Sequence, residues 1–191
     1  SPDVVGSASA LSTTNGGIYV QGRYAYVGYE NSANGLQIFD VSNPASPVSV
    51  GSASSSNNPS GVFVQGRYAY MARANGIQIY DVSNPASPTS IASVSYGGTN
   101  MLDIYVQGRY AYLAENTNNT IVVVDVSVPS SPVQVGSISG SDPYTVRVVG
   151  RYAYVNNNTT QNLDIFDLGG SYVQQFEAGA IEAGMMQIRN N

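Results

Sequence analysis

The sequence predicts an all-β fold, a β-propeller of four blades with four antiparallel strands each, and three observations carry that prediction. The pentapeptide Gly-Arg-Tyr-Ala-Tyr occurs four times, with its glycines at Gly22, Gly66, Gly108 and Gly150, spaced 44, 42 and 42 residues apart. Each copy leads through a short polar loop into an apolar segment that closes on Asp-Val or Asp-Leu. In the first three copies that segment is followed by Ser-x-Pro-x-Ser-Pro, as at Ser83-Asn84-Pro85-Ala86-Ser87-Pro88. A period near 42 residues with about four strands per unit is that of a propeller blade.

The second unit shows each element. Gly61-Val62-Phe63-Val64 is a short apolar run, closed by the hairpin-type turn signal Gln65-Gly66. Arg67-Tyr68-Ala69-Tyr70-Met71 alternates bulky and small residues, as a strand with two different faces does. Ala74-Asn75-Gly76 makes the next turn and Ile77-Gln78-Ile79-Tyr80 the third strand. The segment from Asp81 to Pro88 cannot continue a central strand, because proline donates no ladder hydrogen bond. It is therefore the connection to a fourth strand near Ser90–Ser93, with Asp81 capping the turn through its side chain. Blades pack both faces against neighbours, so the eight motif tyrosines, Tyr24 and Tyr26 through Tyr152 and Tyr154, are expected between blades.

Composition narrows the chemistry. Only 10% of the 191 residues are charged, there is no His, Cys or Trp, and all seven basic residues are arginines. Without His or Cys the usual ligands for zinc, haem and iron–sulfur clusters are missing, and Ser-His-Asp or Cys-His nucleophilic sites are excluded. No cofactor, metal or catalytic residue is therefore expected. A net charge of −5 and a pI near 4.4 argue against nucleic acid and anionic membranes as partners. No run of about 18 apolar residues is present to insert into a bilayer. A surface rich in Ser, Thr and Asn fits an extracellular or cell-surface protein.

The pattern Val-x-Gly-Arg-Tyr-Ala-Tyr followed by Gly-(Leu/Ile)-Gln-Ile-(Phe/Tyr)-Asp-Val-Ser-Asn-Pro-Ala-Ser-Pro resembles the bacterial LVIVD repeat, a propeller-forming unit of surface and secreted proteins. Its namesake segment is matched by Leu36-Gln37-Ile38-Phe39-Asp40 and by Ile121-Val122-Val123-Val124-Asp125. The resemblance spans roughly residues 1–168. It implies an extracytoplasmic, non-enzymatic protein and supplies no active site to transfer.

Residues 1–170 are read as the propeller and 171–191 as a non-repeat tail. Ser1–Ser9 matches Ser46–Ser54 at seven of nine positions, so the chain opens on an outermost strand with no blade before it. The fourth unit has three clear strands, and its expected proline connection is replaced by Leu168-Gly169-Gly170. Two segments compete for the vacant outer slot. Val4–Ser9 would close a four-bladed ring; Tyr172–Phe176 would make the chain an arc of a larger one. Closure by the N-terminal strand is favoured, because it leaves no sheet edge open. The tail from Glu177 to Asn191 reads either as a linker or as the start of a stalk or fibre through which chains self-associate.

Variable loops on a constant scaffold are where propellers carry function. The inter-blade loops are Ser12–Gly16, Ser55–Ser60, Tyr96–Met101 and Gly140–Tyr144; the loops between second and third strands are Tyr29–Asn34, Arg73–Asn75, Glu115–Asn119 and Asn156–Gln161. Amide side chains there suit carbohydrate hydroxyls, and tyrosines can stack on a sugar ring. The ligand-binding candidates are Tyr29, Arg73, Tyr96, Asn100, Glu115, Asp142 and Tyr144. Ordinary solvated turns are the competing reading of the same residues. Five residues before each repeat glycine stand Gly17, Gly61, Asp103 and Thr145; three before stand Tyr19, Phe63, Tyr105 and Arg147. Those positions share one strand face, so Asp103 and Arg147 are expected to meet across adjacent blades near the channel, as an ion pair or a polar ligand site. Three functions follow: a module binding glycan or protein, a structural subunit of a fibre or phage-tail-like appendage, and, least supported, a polysaccharide-active enzyme using acids such as Glu30, Glu115, Asp103 and Asp142.

Overall fold

The computed structural model describes residues 2–11, 15–29, 35–56, 58–139 and 142–169. Among these residues fifteen strands fall into four antiparallel sheets taken in chain order. The first blade holds β1 (Asn15–Gln21), β2 (Tyr24–Tyr29), β3 (Leu36–Asp40) and β4 (Val48–Ala53). The second holds β5 (Pro59–Gln65), β6 (Tyr68–Arg73), β7 (Gly76–Asp81) and β8 (Thr89–Ser95). The third holds β9 (Met101–Gln107), β10 (Tyr110–Glu115), β11 (Thr120–Asp125) and β12 (Val133–Ser139). The fourth has β13 (Pro143–Val149), β14 (Tyr152–Asn157) and β15 (Leu163–Asp167). Innermost strands pack in series, β1 on β5, β5 on β9 and β9 on β13, with no comparable packing of β13 on β1. The all-β blade architecture is as the sequence predicts.

The repeat glycines occupy the first position of each two-residue hairpin loop, with φ of 60° at Gly22 and Gly150 and 62° at Gly66 and Gly108. A side chain there is disfavoured by backbone conformation rather than by space, since nothing lies within 4 Å of a Cβ built at Gly66. Beside each glycine the motif arginine pairs with the aspartate ending the third strand: Arg23 with Asp40, Arg67 with Asp81, Arg109 with Asp125 and Arg151 with Asp167. The same guanidinium lies over the next tyrosine, 5.4–5.6 Å from the ring centroid in Tyr24, Tyr68, Tyr110 and Tyr152. The other carboxylate oxygen accepts the amide N–H two residues on, 2.9 Å from Ser42, Ser83, Ser127 and Gly169. One aspartate thus ties hairpin, third strand and connection together.

Burial follows strand alternation. The trailing face of one blade packs on the leading face of the next. Tyr26, Leu36 and Ile38 of the first blade meet Val62, Val64, Ala69, Met71 and Tyr80 of the second. Tyr70, Ile77 and Ile79 meet Ile104, Val106, Ala111 and Leu113 of the third. Tyr112, Ile121 and Val123 meet Val146, Val148, Ala153 and Val155 of the fourth. Burial in this apolar layer pushes the Tyr70 and Tyr80 hydroxyls up to about 12, and Tyr80 donates to the Ser54 carbonyl at 2.7 Å. A bulge recurs at one place in the outer strand, where the extra residue, Val50, Ile91 or Val135, stands opposite the step from Ile38 to Phe39, Ile79 to Tyr80, or Val123 to Val124.

One expectation is corrected. Val4–Ser9 does not complete the fourth blade: the described residues 2–11 contain no strand, and the fourth sheet has three. The N-terminal segment lies instead on the first blade, where a Cβ added at Gly6 would collide with the Pro44 carbonyl. Gly51 of β4 meets the Pro85 carbonyl of the second blade in the same way. Likewise Gln37 Oε1 accepts the Leu11 amide N–H at 3.1 Å, as Gln78 Oε1 accepts that of Ser56 at 3.0 Å. The segment therefore sits where the outer strand of a blade before the first one would sit. The first and fourth blades are not neighbours, so it cannot reach the open edge of β15. The rival segment Tyr172–Phe176 and the whole tail from Gly170 onward lie outside the described residues.

Asp81 gives a pH test. The Arg67 hydrogen bond holds its carboxyl far below the ordinary value of 3.8, so its contribution is present above that value and is lost as pH falls through the folded-state pKa. Asp81→Asn is expected to unfold at lower temperature than the parent at pH 7, with the gap closing on acidification below about pH 4. Thermal melts from pH 7 to pH 2 check this; a gap independent of pH would contradict it.

Candidate functional site

The innermost strands carry three successive layers on their axial side, set by the period of two. The layer next to the repeat glycines holds Gln21, Gln65 and Gln107, each donating through Nε2 to the carbonyl of the next blade's Gly66, Gly108 or Gly150 at 2.8–3.1 Å. In the middle layer Tyr19 packs on Phe63 with ring centroids 4.5 Å apart, and Phe63 packs on Tyr105 at 4.9 Å. The Arg147 guanidinium continues the ladder, 5.8 Å from the Tyr105 centroid. The third layer, farthest from the glycines, is glycine in the first two blades, Gly17 and Gly61, and there a recess of about 250 Å³ opens. Gly16 and Gly17, Ser60 and Gly61, Leu102 and Asp103, and Tyr144 and Thr145 line it, two from each blade.

Asp103 and Arg147 pair across the third and fourth blades, Arg147 Nη1 to Asp103 Oδ2 at 2.6 Å. The same carboxylate oxygen accepts the Val146 amide N–H at 3.0 Å, and Arg147 Nη1 also donates to the Val146 carbonyl at 2.6 Å. Asp103 is thus anchored at the recess wall by a blade it does not belong to. Tyr144 is the large aromatic presented to solvent there, 52% exposed.

The other sequence candidates divide by burial. Tyr29, Arg73 and Glu115, read from sequence as loop residues, close β2, β6 and β10 and are buried, which takes them off the exposed surface. Each is the last residue of its strand, and its side chain is turned inward into the packed blades. Glu115 accepts the amide N–H groups of Thr99 at 3.4 Å, Thr117 at 3.2 Å and Asn118 at 2.6 Å, joining the inter-blade loop to the β10–β11 turn. Arg73 donates to the Ile77 carbonyl at 3.3 Å and to Ser95 Oγ at 3.3 Å, and to Asn75; burial lowers its pKa. Tyr96 is half-buried, its hydroxyl 3.5 Å from the Pro132 carbonyl and pushed up to about 12 by burial.

Asp142 accepts from Asn116 Nδ2 and Thr159 Oγ1, bridging the third and fourth blades. Asn100 is exposed, its amide 3.4 Å from Asn116 Oδ1. Of the sequence candidates, Tyr144 and Asp103 come together at the recess, with Arg147 bonded to Asp103 beside it. Glu30, Asn31–Asn34 and Gly140 lie outside the described residues. The aromatic ladder and the recess itself were not read from sequence. Glycine at position minus five in two of the four units was the available signal for an opening.

An LVIVD-repeat family profile matches residues 15–54, 58–95 and 98–139. The fourth unit, which lacks the proline connection, lies beyond the matched residues. No curated protein is significantly similar in sequence. Among solved structures, the chain is similar to the β-propeller domain of Cps50 (Swd1) from Myceliophteria thermophila, with a TM-score of 0.62 and 12% identity, over 80% of this chain and 53% of that one. A putative 6-phosphogluconolactonase from Bacteroides uniformis gives a TM-score of 0.64 at 15% identity, over 85% of this chain and 58% of that one. The computationally designed Ika4 protein gives 0.68 at 6% identity, over 88% of this chain and 100% of that one. This chain thus spans little more than half the length of the first two. At such identities the likeness shows fold alone.

Glu115→Ala is expected to cost about 1–3 kcal/mol by leaving three amide donors without their acceptor. Urea unfolding followed by fluorescence measures it, and a change within error would rule out the anchoring role.

Proposed function

The chain belongs to the LVIVD repeat family, and on that premise we propose that it is a non-enzymatic binding module acting at the cell surface or outside the cell, which takes a neutral, hydroxyl-rich ligand, an oligosaccharide foremost, at the axial recess. The observation that carries this reading is Tyr144 exposed beside a glycine-lined opening with the fixed Asp103 carboxylate in its wall. A sugar ring can stack on the tyrosine while its hydroxyls bond Asp103, Ser60 and nearby peptide groups. The acids on this side favour binding over catalysis, because they are already engaged: Glu115 by amides, Asp103 by Arg147 and Asp142 by Asn116 and Thr159. The 6-phosphogluconolactonase likeness bears on fold and brings no residue to this recess.

A second reading, a subunit of an extracellular assembly, is favoured by a separate observation. Apolar residues lie exposed on the outward faces of the first and last blades.

Calorimetric screening against neutral oligosaccharides, with the parent and Tyr144→Ala side by side, tests the first reading. A bound glycan is expected to lose roughly tenfold in affinity on removal of the ring, about 1.4 kcal/mol. Equal affinity for both proteins, or no binding by the parent, would overturn it.

A further inference from the structure

The two ends of the arc are the separated halves of one interface. Leu163 and Ile165 of β15 are 65% and 57% exposed. Their repeat equivalents, Leu36 and Ile38, Ile77 and Ile79, and Ile121 and Val123, are all fully buried by the following blade. At the other end Ile18 and Val20 of β1 are 66% and 56% exposed. Their equivalents Val62 and Val64, Ile104 and Val106, and Val146 and Val148 are buried by the preceding blade. The last blade therefore presents a trailing face and the first a leading face, in the register used at three internal joints.

The outer strands add a second, independent match. Among the described residues the fourth blade has β15 as its last strand, and no strand pairs with its outer edge. The N-terminal segment is seated on the first blade as the outer strand of a blade that would come before it, by the Gly6–Pro44 approach and the Leu11–Gln37 hydrogen bond. Among the described residues, one end carries a segment in the outer-strand position without a blade, and the other a blade of three strands.

We infer that a second copy of this chain docks head to tail on the first, its trailing face covering Ile18 and Val20, while the N-terminal segment of the first copy adds to the edge of the partner's β15. The repeat fixes the register. Ile38 pairs with Gly51 and Leu36 with Ala53 inside the first blade. Aligned on the seven-of-nine match, Gly6 then falls opposite the partner's Ile165, and Ala8 opposite the partner's Leu163. Two contacts differ from the internal joints: in the fourth blade the glutamine that donates to the next blade's glycine carbonyl is replaced by Val149, and the middle-layer aromatic by Arg147. The occupant is taken to be a copy of the same chain because both complementary halves, with matching register, are present on every copy.

The test uses the full chain, which has no native cysteine. Light scattering is expected to give at least twice the 20.1 kDa chain mass, falling to one chain on dilution. Ile18→Asp and Ile165→Asp change exposed residues and are expected to fold, as circular dichroism will verify, yet each alone to be monomeric. An equimolar mixture of the two retains one intact joint and is expected to form a 1:1 complex. Ala8→Cys/Leu163→Cys is expected to oxidise to covalent multimers on a non-reducing gel. A parent that stays monomeric at all concentrations overturns the inference, as does a disulfide closed within one chain. Assembly that survives both aspartate variants but is lost on deletion of 171–191 overturns it in favour of the tail.

Discussion

Everything in this fold depends on the packing of one blade's trailing face into the next blade's leading face. Strand alternation gives each sheet two apolar sides, so a blade alone would expose both. Covering an Ile or Leu side chain contributes roughly 1.5–3 kcal/mol, and each internal joint covers several, such as Leu36, Ile38, Val62 and Val64 in the first. The remaining features serve that contact. The Arg–Asp clasp holds hairpin and third strand in one plane, and the glycine at Gly51 lets the outer strand lie down on the following connection. The glutamines of the axial layer stitch each hairpin to the next.

The period, the strands and the packing of six of the eight motif tyrosines between blades were legible in the sequence because they repeat, and repetition separates constraint from accident within one chain. Tyr152 is exposed and Tyr154 only half-buried, because among the described residues no blade follows the fourth. Asp81 as a turn cap was legible for the same reason, since Asx chemistry is local. The Asp103–Arg147 pair was legible because two departures from the repeat fell on one strand face. What failed was also physical. Tyr29, Arg73 and Glu115 look like loop residues by sequence position, but the last residue of a strand can point either way, and only the packed blades decide which. The resting place of the N-terminal segment was misread because its match to β4 identifies the kind of strand it is, not which blade it follows.

Sparse charge shapes what the surface can recognise. Of the seven arginines, four are spent in the clasps, Arg147 holds Asp103, Arg73 is buried and Arg189 lies outside the described residues. The clasps are largely solvent-exposed pairs, so they align strands more than they stabilise the fold. Little charge is left for long-range steering of a partner. Recognition on such a surface rests on short-range hydrogen bonds, stacking and apolar contact, which is the chemistry both of a hydroxyl-rich ligand and of another blade.

An interface divided between the two ends of one chain has a direction. Trailing meets leading, so a symmetric face-to-face dimer would set Ile18 against Ile18 and leave Leu163 and Ile165 uncovered. Head-to-tail addition covers both, and it gives a ring where the per-blade rotation closes and a filament where it does not. Val149 bears on the strength of that joint. Each internal joint has a glutamine-to-carbonyl bond at the axial end, and a hydrogen bond of this kind contributes about 0.5–1.5 kcal/mol net. The joint between copies lacks it and pays the entropy of bringing two chains together as well. It is thus built on the same apolar register as the joints inside the chain but is weaker than any of them, so the assembly parts between chains before the blades within a chain come apart.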